Sequence, residues 1–145
     1  MKEKTIIGIM LVFFSVSSYW IGIGVCYSIM KDETHHKLFH YANIERQTPL
    51  KWDECLAEQA EIRAKRIHES GEFNHDGWEY YARKCSDEFI GENLVQNYDD
   101  FHDEFYQSHN VLMKSELHRE NIENERFNKM GVGCYALTCV QFFSK

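Results

Sequence analysis

The longest apolar run of the chain lies at its N-terminus. From Thr5 to Met30 there are 26 consecutive residues without a charged side chain, and about 20 apolar residues are enough to cross a bilayer as a helix. Lys2 and Lys4 precede the run. Because positive charge favours the cytoplasmic side, we expect the N-terminus to stay inside and the following residues to cross. The pattern predicts a targeting segment over residues 1–33 and an extracytoplasmic domain over residues 34–145.

Two interpretations of this targeting segment remain open. It is either an uncleaved signal anchor or a cleaved signal peptide with Thr5–Phe14 as its apolar core, in which case Val16 and Ser18 are the small residues before the cut. The run continues well past that point, through Trp20 and Val25. Since a mature N-terminus so apolar is unusual, the pattern favours the anchor. Both interpretations predict a location outside the cytoplasm, as a single-pass membrane protein or a secreted one.

Helical periodicity dominates the first half of the predicted domain. Thr34–Arg46 is expected to form a first helix, and Asp53 can cap a second helix that continues to about Glu69. Gly71 then provides a stop, because glycine accepts the left-handed conformation. The apolar positions of the second helix form one stripe: Leu56, Ala57, Ala60, Ala64 and Ile67.

Strand-forming residues are concentrated near the C-terminus. Asp76–Glu79 resembles a capping arrangement at the start of a helix, and another helix is expected from Asp99 or Asp100. Met130–Tyr135 and Thr138–Phe143 are rich in Val, Tyr, Phe and Cys, and few residues separate them, so they should pair as a hairpin. Helices first and strands late predict an α+β domain, layered αβα, in which helices flank a small antiparallel sheet.

Charge excludes one class of partner. The formal net charge is −7. Beyond Met30 there are 14 basic and 22 acidic residues. A surface this acidic is repelled by the phosphate backbone of nucleic acids. Proteins that bind this backbone use clustered Lys and Arg to release its counterions. Nucleic acid is therefore not expected to be a partner.

The cysteines favour an oxidising compartment. Cys26 lies in the apolar run, and the other four form an even set that allows three disulfide connectivities. Cys134 and Cys139 flank the predicted hairpin and are a plausible pair, which leaves Cys55 with Cys85. The alternative is four buried free thiols. No CxxC spacing is present, so a cysteine zinc site is not expected.

Four stretches of the domain occur in the order found in a known family. They are Pro49–Ala57, Phe73–Asp76, Gly91–Leu94 with a "GEN" motif, and Ser115–Ile122 with an "HRxNI"-like pattern. Together they resemble the CAP superfamily of cysteine-rich secretory, antigen 5 and pathogenesis-related proteins, over nearly all of residues 34–144. The resemblance implies an αβα sandwich whose cleft carries two histidines and acidic residues.

The resemblance also implies which residues line that cleft. The matching positions are His75, Glu92 and His118, and Glu79 is the candidate for a second acid. Two imidazoles with carboxylates suit a divalent cation such as zinc, and an open fourth position would activate water. Without metal, the same side chains can form a network in which Glu92 accepts hydrogen bonds from His75 and His118. Leu112 departs from the family, which usually has tryptophan there.

Family resemblance favours binding over catalysis. The expected function is an extracytoplasmic binding module, tethered to a membrane by its N-terminal segment or secreted, whose ligand is a lipid, a cell-envelope component or a protein. No cofactor is required, although a divalent cation is possible at the cleft. The alternative is a metal-dependent, protease-like hydrolase that uses His75, Glu92 and His118.

Five other histidines are interpreted as residues of solvated helix faces. His36 and His40 are four positions apart on the first predicted helix, so a second metal site there is the alternative. The remaining three are His35, His102 and His109.

Overall fold

The structure is a computed structural model that describes residues 35–96 and 104–145. Both the predicted N-terminal segment and the predicted helix start at Asp99 or Asp100 lie outside these residues. In the described part of the chain, no helix is both long and apolar enough to cross a membrane. The elements, in chain order, are α1 (35–44), β1 (Lys51–Trp52), α2 (Glu54–Ser70), α3 (Glu79–Ala82), β2 (Ile90–Gln96), α4 (Glu104–Lys114), α5 (Glu116–Glu123), β3 (Lys129–Tyr135) and β4 (Thr138–Ser144).

One four-stranded sheet organises the domain, in the order β1-β3-β4-β2. β3 and β4 form the predicted hairpin, and β4 also pairs antiparallel with β2. β1 adds a short parallel pairing to β3, so the sheet is mixed rather than wholly antiparallel. The α+β class is confirmed. The sequence did not predict β2, whose buried interior contains the polar residues Glu92 and Asn93.

Helices cover both faces of the sheet, as the layered prediction requires. On one face α2 and α3 pack on alternate strand residues, with Ala60, Ile67 and Ala82 against Leu94 and Phe142. On the other face the core joins α1, α4 and α5 to the sheet through Leu38, Leu112, Ile122, Val132 and Phe143. Because adjacent residues such as Phe142 and Phe143 point to opposite faces, each strand contributes to both cores.

The predicted signals at both ends of α2 are confirmed. The Asp53 carboxylate accepts a hydrogen bond from the Leu56 amide at 3.0 Å, and Gly71 ends the helix with φ +70°. α2 lies directly on β3, where a Cβ added at Gly131 or Gly133 would come within 3 Å of helix backbone atoms. Glycine at these two positions therefore sets how closely the helix approaches the sheet.

The predicted capping arrangement at Asp76–Glu79 is wrong. α3 contains only four residues, and its N-cap is Trp78, which makes no side-chain capping bond. The chain turns at Gly77, which has φ +73°, so Asp76 precedes the helix by too many residues to cap it. The Asp76 amide instead donates to Asn74 Oδ1 at 2.9 Å.

Arg46 was predicted to be the last residue of the first helix, but the helix is described only over residues 35–44. The buried guanidinium of Arg46 donates to the carbonyl oxygens of Ile122, Asn124 and Phe127 at 2.7–3.0 Å. Burial lowers the pKa of Arg46, and nearby Glu125 opposes that shift. Arg46 thus ties the end of α1 to the segment between α5 and β3.

Both disulfide pairs suggested by the hairpin are present. Cys55 on α2 is bonded to Cys85 after α3, and Cys134 is bonded to Cys139. The second pair joins directly opposed residues of β3 and β4. The first pair fastens the short α3 to the long α2.

Candidate functional site

The structure brings three of the four predicted cleft residues together. Glu92 lies on β2 with its side chain only 1% exposed, and it accepts a hydrogen bond from His75 Nδ1 at 2.8 Å. His75 lies in the segment between α2 and α3, and its side chain is 51% exposed. His118 lies on α5, and its ring centroid is 5.9 Å from that of His75. Two imidazoles therefore lie near each other, and one of them is hydrogen-bonded to a buried carboxylate.

Arg63 of α2 is the second partner of Glu92, in the place where the sequence predicted His118. Its Nε donates to Glu92 Oε1 at 3.2 Å, and its side chain is buried. The other end of the guanidinium donates to the Asn74 carbonyl at 2.8 Å, one residue before His75. Among the described residues, no hydrogen bond joins the His118 imidazole to Glu92. The network therefore runs from Asn74 through Arg63 and Glu92 to His75.

The sequence contained a signal for Arg63 that was missed. Leu56, Ala60 and Ile67 of α2 are buried, and Arg63 falls on the same face at helical spacing. A charged residue within an apolar stripe must be paired when the stripe is buried, because an unpaired buried charge is very costly. An acid on a facing strand was therefore to be expected.

A chain of hydrogen-bonded side-chain amides fixes α5 against β2. Asn121 donates to Asn93 Oδ1 at 2.9 Å and to the Glu92 carbonyl at 3.1 Å. Asn93 in turn donates to the His118 carbonyl and to Gln141 Oε1, each at 3.1 Å. These bonds hold the backbone of His118 next to the strand that carries Glu92, so the separation of the two imidazoles is set by the fold.

The two histidines differ in electrostatic surroundings. Burial lowers the pKa of His118 below its ordinary value, and the proximity of His75 lowers it further. At neutral pH the His118 imidazole is therefore uncharged, with one nitrogen available as an acceptor. His75, by contrast, has an acidic partner in Glu92.

Comparison with known proteins assigns the family. The model of the CAP family, described as the cysteine-rich secretory protein family, matches residues 45–143. The chain belongs to the CAP family. This match begins before β1 and ends at Phe143 within β4, so it includes His75, Glu92 and His118. No curated protein sequence matches this chain significantly.

Solved structures of bacterial proteins share this CAP fold. An extracellular protein containing an SCP domain from Bacillus anthracis str. Ames superposes with a TM-score of 0.70 at 27% identity, over 79% of this chain and 41% of that chain. A cysteine-rich secretory protein from Staphylococcus aureus subsp. aureus Mu50 gives a TM-score of 0.66 at 20% identity, over 79% and 38%. An outer surface protein of Borrelia burgdorferi gives 0.58 at 18% identity, over 82% and 91%. The chain thus spans about two fifths of the length of the first two.

His75, Glu92 and His118 leave fewer free donor atoms than a zinc site with three protein ligands uses. Within residues 35–96 and 104–145, no three His, Cys, Asp or Glu side chains are grouped so that they could hold a metal. Both Glu92 oxygens and His75 Nδ1 already take part in hydrogen bonds. This leaves His75 Nε2 and the His118 ring, one ligand fewer than catalytic zinc sites use.

Glu79 does not join the cleft. It is exposed at the start of α3. In the part of the chain that the structure describes, no hydrogen bond or ion pair connects its side chain to His75, Glu92 or His118. The structure thus brings together the two histidines and one acid, with Arg63 in addition.

A cavity of about 330 Å³ adjoins the cleft network. It shares Arg63 with that network and is also lined by Arg66, Tyr80 and Tyr81. The Arg63 guanidinium lies 5.6 Å from the centroid of the Tyr81 ring. The buried Arg63 side chain therefore lies between Glu92 and this open space.

The prediction that the five histidines named above lie on solvated helix faces is wrong for His109. This residue is buried on α4, where Nε2 lies 3.3 Å from Glu45 Oε1 and the ring stacks on Tyr41. His36 and His40 are exposed on α1 as predicted. His102 lies outside the described residues.

Proposed function

We propose that this CAP domain is a binding module that works outside the cytoplasm, held at the outer face of a membrane or secreted. Its ligand is a lipid, a cell-envelope component or a protein, and it contacts His75 and His118. Binding requires no metal ion.

One observation carries this proposal: the buried Glu92 carboxylate is shared between Arg63 and His75 Nδ1. An acid with both oxygens engaged orients its partners and is poorly placed to ligate a metal. The same bond turns His75 Nε2 away from Glu92, on a side chain that is half exposed. With the uncharged ring of His118 nearby, the cleft offers polar groups to an incoming ligand.

Three observations support an extracytoplasmic location. The uncharged run from Thr5 to Met30 has the length of a membrane-crossing segment. The two disulfides belong to oxidising compartments. Among the structurally similar proteins, one is described as extracellular and another as an outer surface protein.

A metal-dependent hydrolase is the competing function. It would require Glu92 to exchange Arg63 or His75 for a cation, with His75 and His118 completing the ligand set. The guanidinium beside Glu92 opposes this exchange, because it already neutralises the carboxylate and would repel a second cation. No observation in the structure favours this alternative over binding.

Cosedimentation tests the binding function. The full chain is mixed with purified peptidoglycan in EDTA and a mild detergent that leaves the peptidoglycan insoluble, and the peptidoglycan is then sedimented. We expect the peptidoglycan to retain the wild type and to release the His75→Ala/His118→Ala double variant. His40→Ala, at an exposed histidine of α1, is the matched control and should be retained.

Zinc calorimetry separates the two functions. If zinc binds one-to-one to the wild type and both His75→Ala and His118→Ala abolish that binding, the metal-free proposal is wrong and hydrolase assays follow. Retention on an envelope material in EDTA, without such a zinc site, supports the binding module.

A further inference from the structure

We propose that the tip of the β3–β4 hairpin, formed by Tyr135, Ala136 and Leu137, rests on the surface of a phospholipid bilayer in the tethered protein. This inference depends on the membrane tether of the proposed function and adds to it the face of the domain that meets the lipid. The tip is the turn end of the hairpin. At the other end, Ser144 of β4 pairs with Ile90 of β2.

The residue types in this turn are not those that its backbone geometry favours. Tyr135 pairs with Thr138, so the loop contains only Ala136 and Leu137. Ala136 has φ +49°, the left-handed region that two-residue hairpin loops usually fill with Asn or Gly. An apolar pair in a place that favours small polar residues breaks a local rule, and such departures are expected where function compensates.

The side chains of the tip have the chemistry of a membrane interface. Leu137 is 45% exposed and Tyr135 is 37% exposed. The Lys65 ammonium lies 5.6 Å from the Tyr135 ring centroid, and the His68 ring lies 5.4 Å from it. Tyrosine is enriched where lipid tails meet headgroups, and a lysine nearby can keep its ammonium at the phosphates while its stem covers apolar surface.

The position of the tip relative to the start of the domain identifies the occupant. His35 Nε2 accepts a hydrogen bond from the Cys134 amide at 3.3 Å, so the described domain begins beside the tip. Only residues 31–34 separate His35 from the end of the uncharged run at Met30. Five residue steps span at most about 18 Å. A bilayer that holds the run therefore lies within reach of the hairpin tip, which favours lipid over a second copy or another protein.

This orientation leaves the cleft open to the outside. On β2, Gln96 pairs with Thr138 next to the tip, whereas Glu92 pairs with Phe142 four residues further along. Four residues of strand correspond to about 13 Å. With the tip on the bilayer, Glu92 and the His75 ring that contacts it lie about 13 Å further along the strand than the residues next to the tip.

Fluorescence quenching by brominated lipids tests the contact, with two matched variants. Tyr135→Trp places a reporter at the tip, and Phe89→Trp places one just before Ile90, which pairs with Ser144 at the opposite end of the sheet. Both native side chains are aromatic and 37% exposed. The full chain is reconstituted into vesicles of phosphatidylcholine with or without bromine on the upper acyl chain, and the wild-type emission is subtracted.

We expect the emission of the tryptophan at position 135 to be blue-shifted and to lose intensity in brominated vesicles. The emission of the tryptophan at position 89 should show neither change. If the chain floats with the vesicles and both reporters respond equally, the proposal is wrong. A blue shift at 135 without quenching indicates contact with protein and also overturns it. A chain that does not float with the vesicles refutes the tether, and the proposal with it.

Discussion

Removing Arg63 should destabilise the domain more than removing any surface cation of α2. In Arg63→Met the side chain keeps its apolar stem but loses the bond to Glu92 and the bond to the Asn74 carbonyl. Glu92 is then left with His75 alone, although its side chain is only 1% exposed. Breaking a buried pair by removing one partner costs about 3–5 kcal/mol of unfolding free energy. For a domain of about 110 residues this corresponds to a fall in Tm of roughly 12–20 °C.

The assay is thermal and urea unfolding of the full chain, followed by circular dichroism. Lys65→Met is the matched control, because Lys65 is two residues away on the same helix and its ion pair with Glu69 is half exposed on both sides, at 3.8 Å. Exposed pairs of this kind contribute about 0.3–0.5 kcal/mol. The Arg63→Met/Glu92→Met double variant removes both charges and should be more stable than Arg63→Met alone, since no unpaired charge remains buried.

Two results would refute this reasoning. If Arg63→Met costs no more than Lys65→Met, the Arg63–Glu92 pair is not the structural link that its burial implies. If the double variant is no more stable than Arg63→Met, the cost comes from packing around the arginine stem rather than from an isolated carboxylate.

Two further predictions concern the tip and the cleft. Ala136→Gly should raise the unfolding free energy by about 1 kcal/mol, because glycine adopts a positive φ without strain; an unchanged urea midpoint would contradict this. His75→Asn should raise the pKa of His118 measured by NMR titration, but not to its ordinary value, since burial is the larger cause of the lowered pKa. Because the folded pKa of His118 is lowered, its contribution to stability is complete above about pH 6.5 and is lost as pH falls from there towards the folded pKa. A His118 pKa that is insensitive to His75→Asn would show that the two rings do not interact.

Local signals in the sequence were sufficient for the helical layer and the hairpin. Asp53 and Gly71 act within one turn of α2, so their roles follow from residue type and position alone. The hairpin of β3 and β4 follows from two strand-forming runs separated by two residues. Cys134 and Cys139 are opposed in that hairpin, so their pairing follows from its register.

Features that depend on distant residues could not be predicted in the same way. Ile90-Gly91-Glu92-Asn93 lacks the alternation of a half-buried strand, because β2 is covered on both faces and its polar residues are satisfied by α2 and α5. The partner of Glu92 lies 29 positions earlier in the chain, at Arg63. The sequence named the residues of the cleft through a family resemblance, but which side chain donates to Glu92 depends on how α2 packs on the sheet.

The position of Glu92 decides which variants can test function. Its side-chain carboxylate accepts hydrogen bonds from Arg63 of α2 and from His75, which lies between α2 and α3. Its backbone carbonyl accepts a hydrogen bond from Asn121 of α5. Glu92→Gln therefore alters the contacts to Arg63 and to His75, and a loss of binding or activity in this variant follows from lost structure as readily as from lost chemistry. His75→Asn changes a half-exposed side chain and leaves the Arg63–Glu92 pair in place. A ligand that depends on the cleft should therefore be sensitive to His75→Asn while the urea midpoint stays close to that of the wild type, and this combination is what separates a binding cleft from a purely structural network.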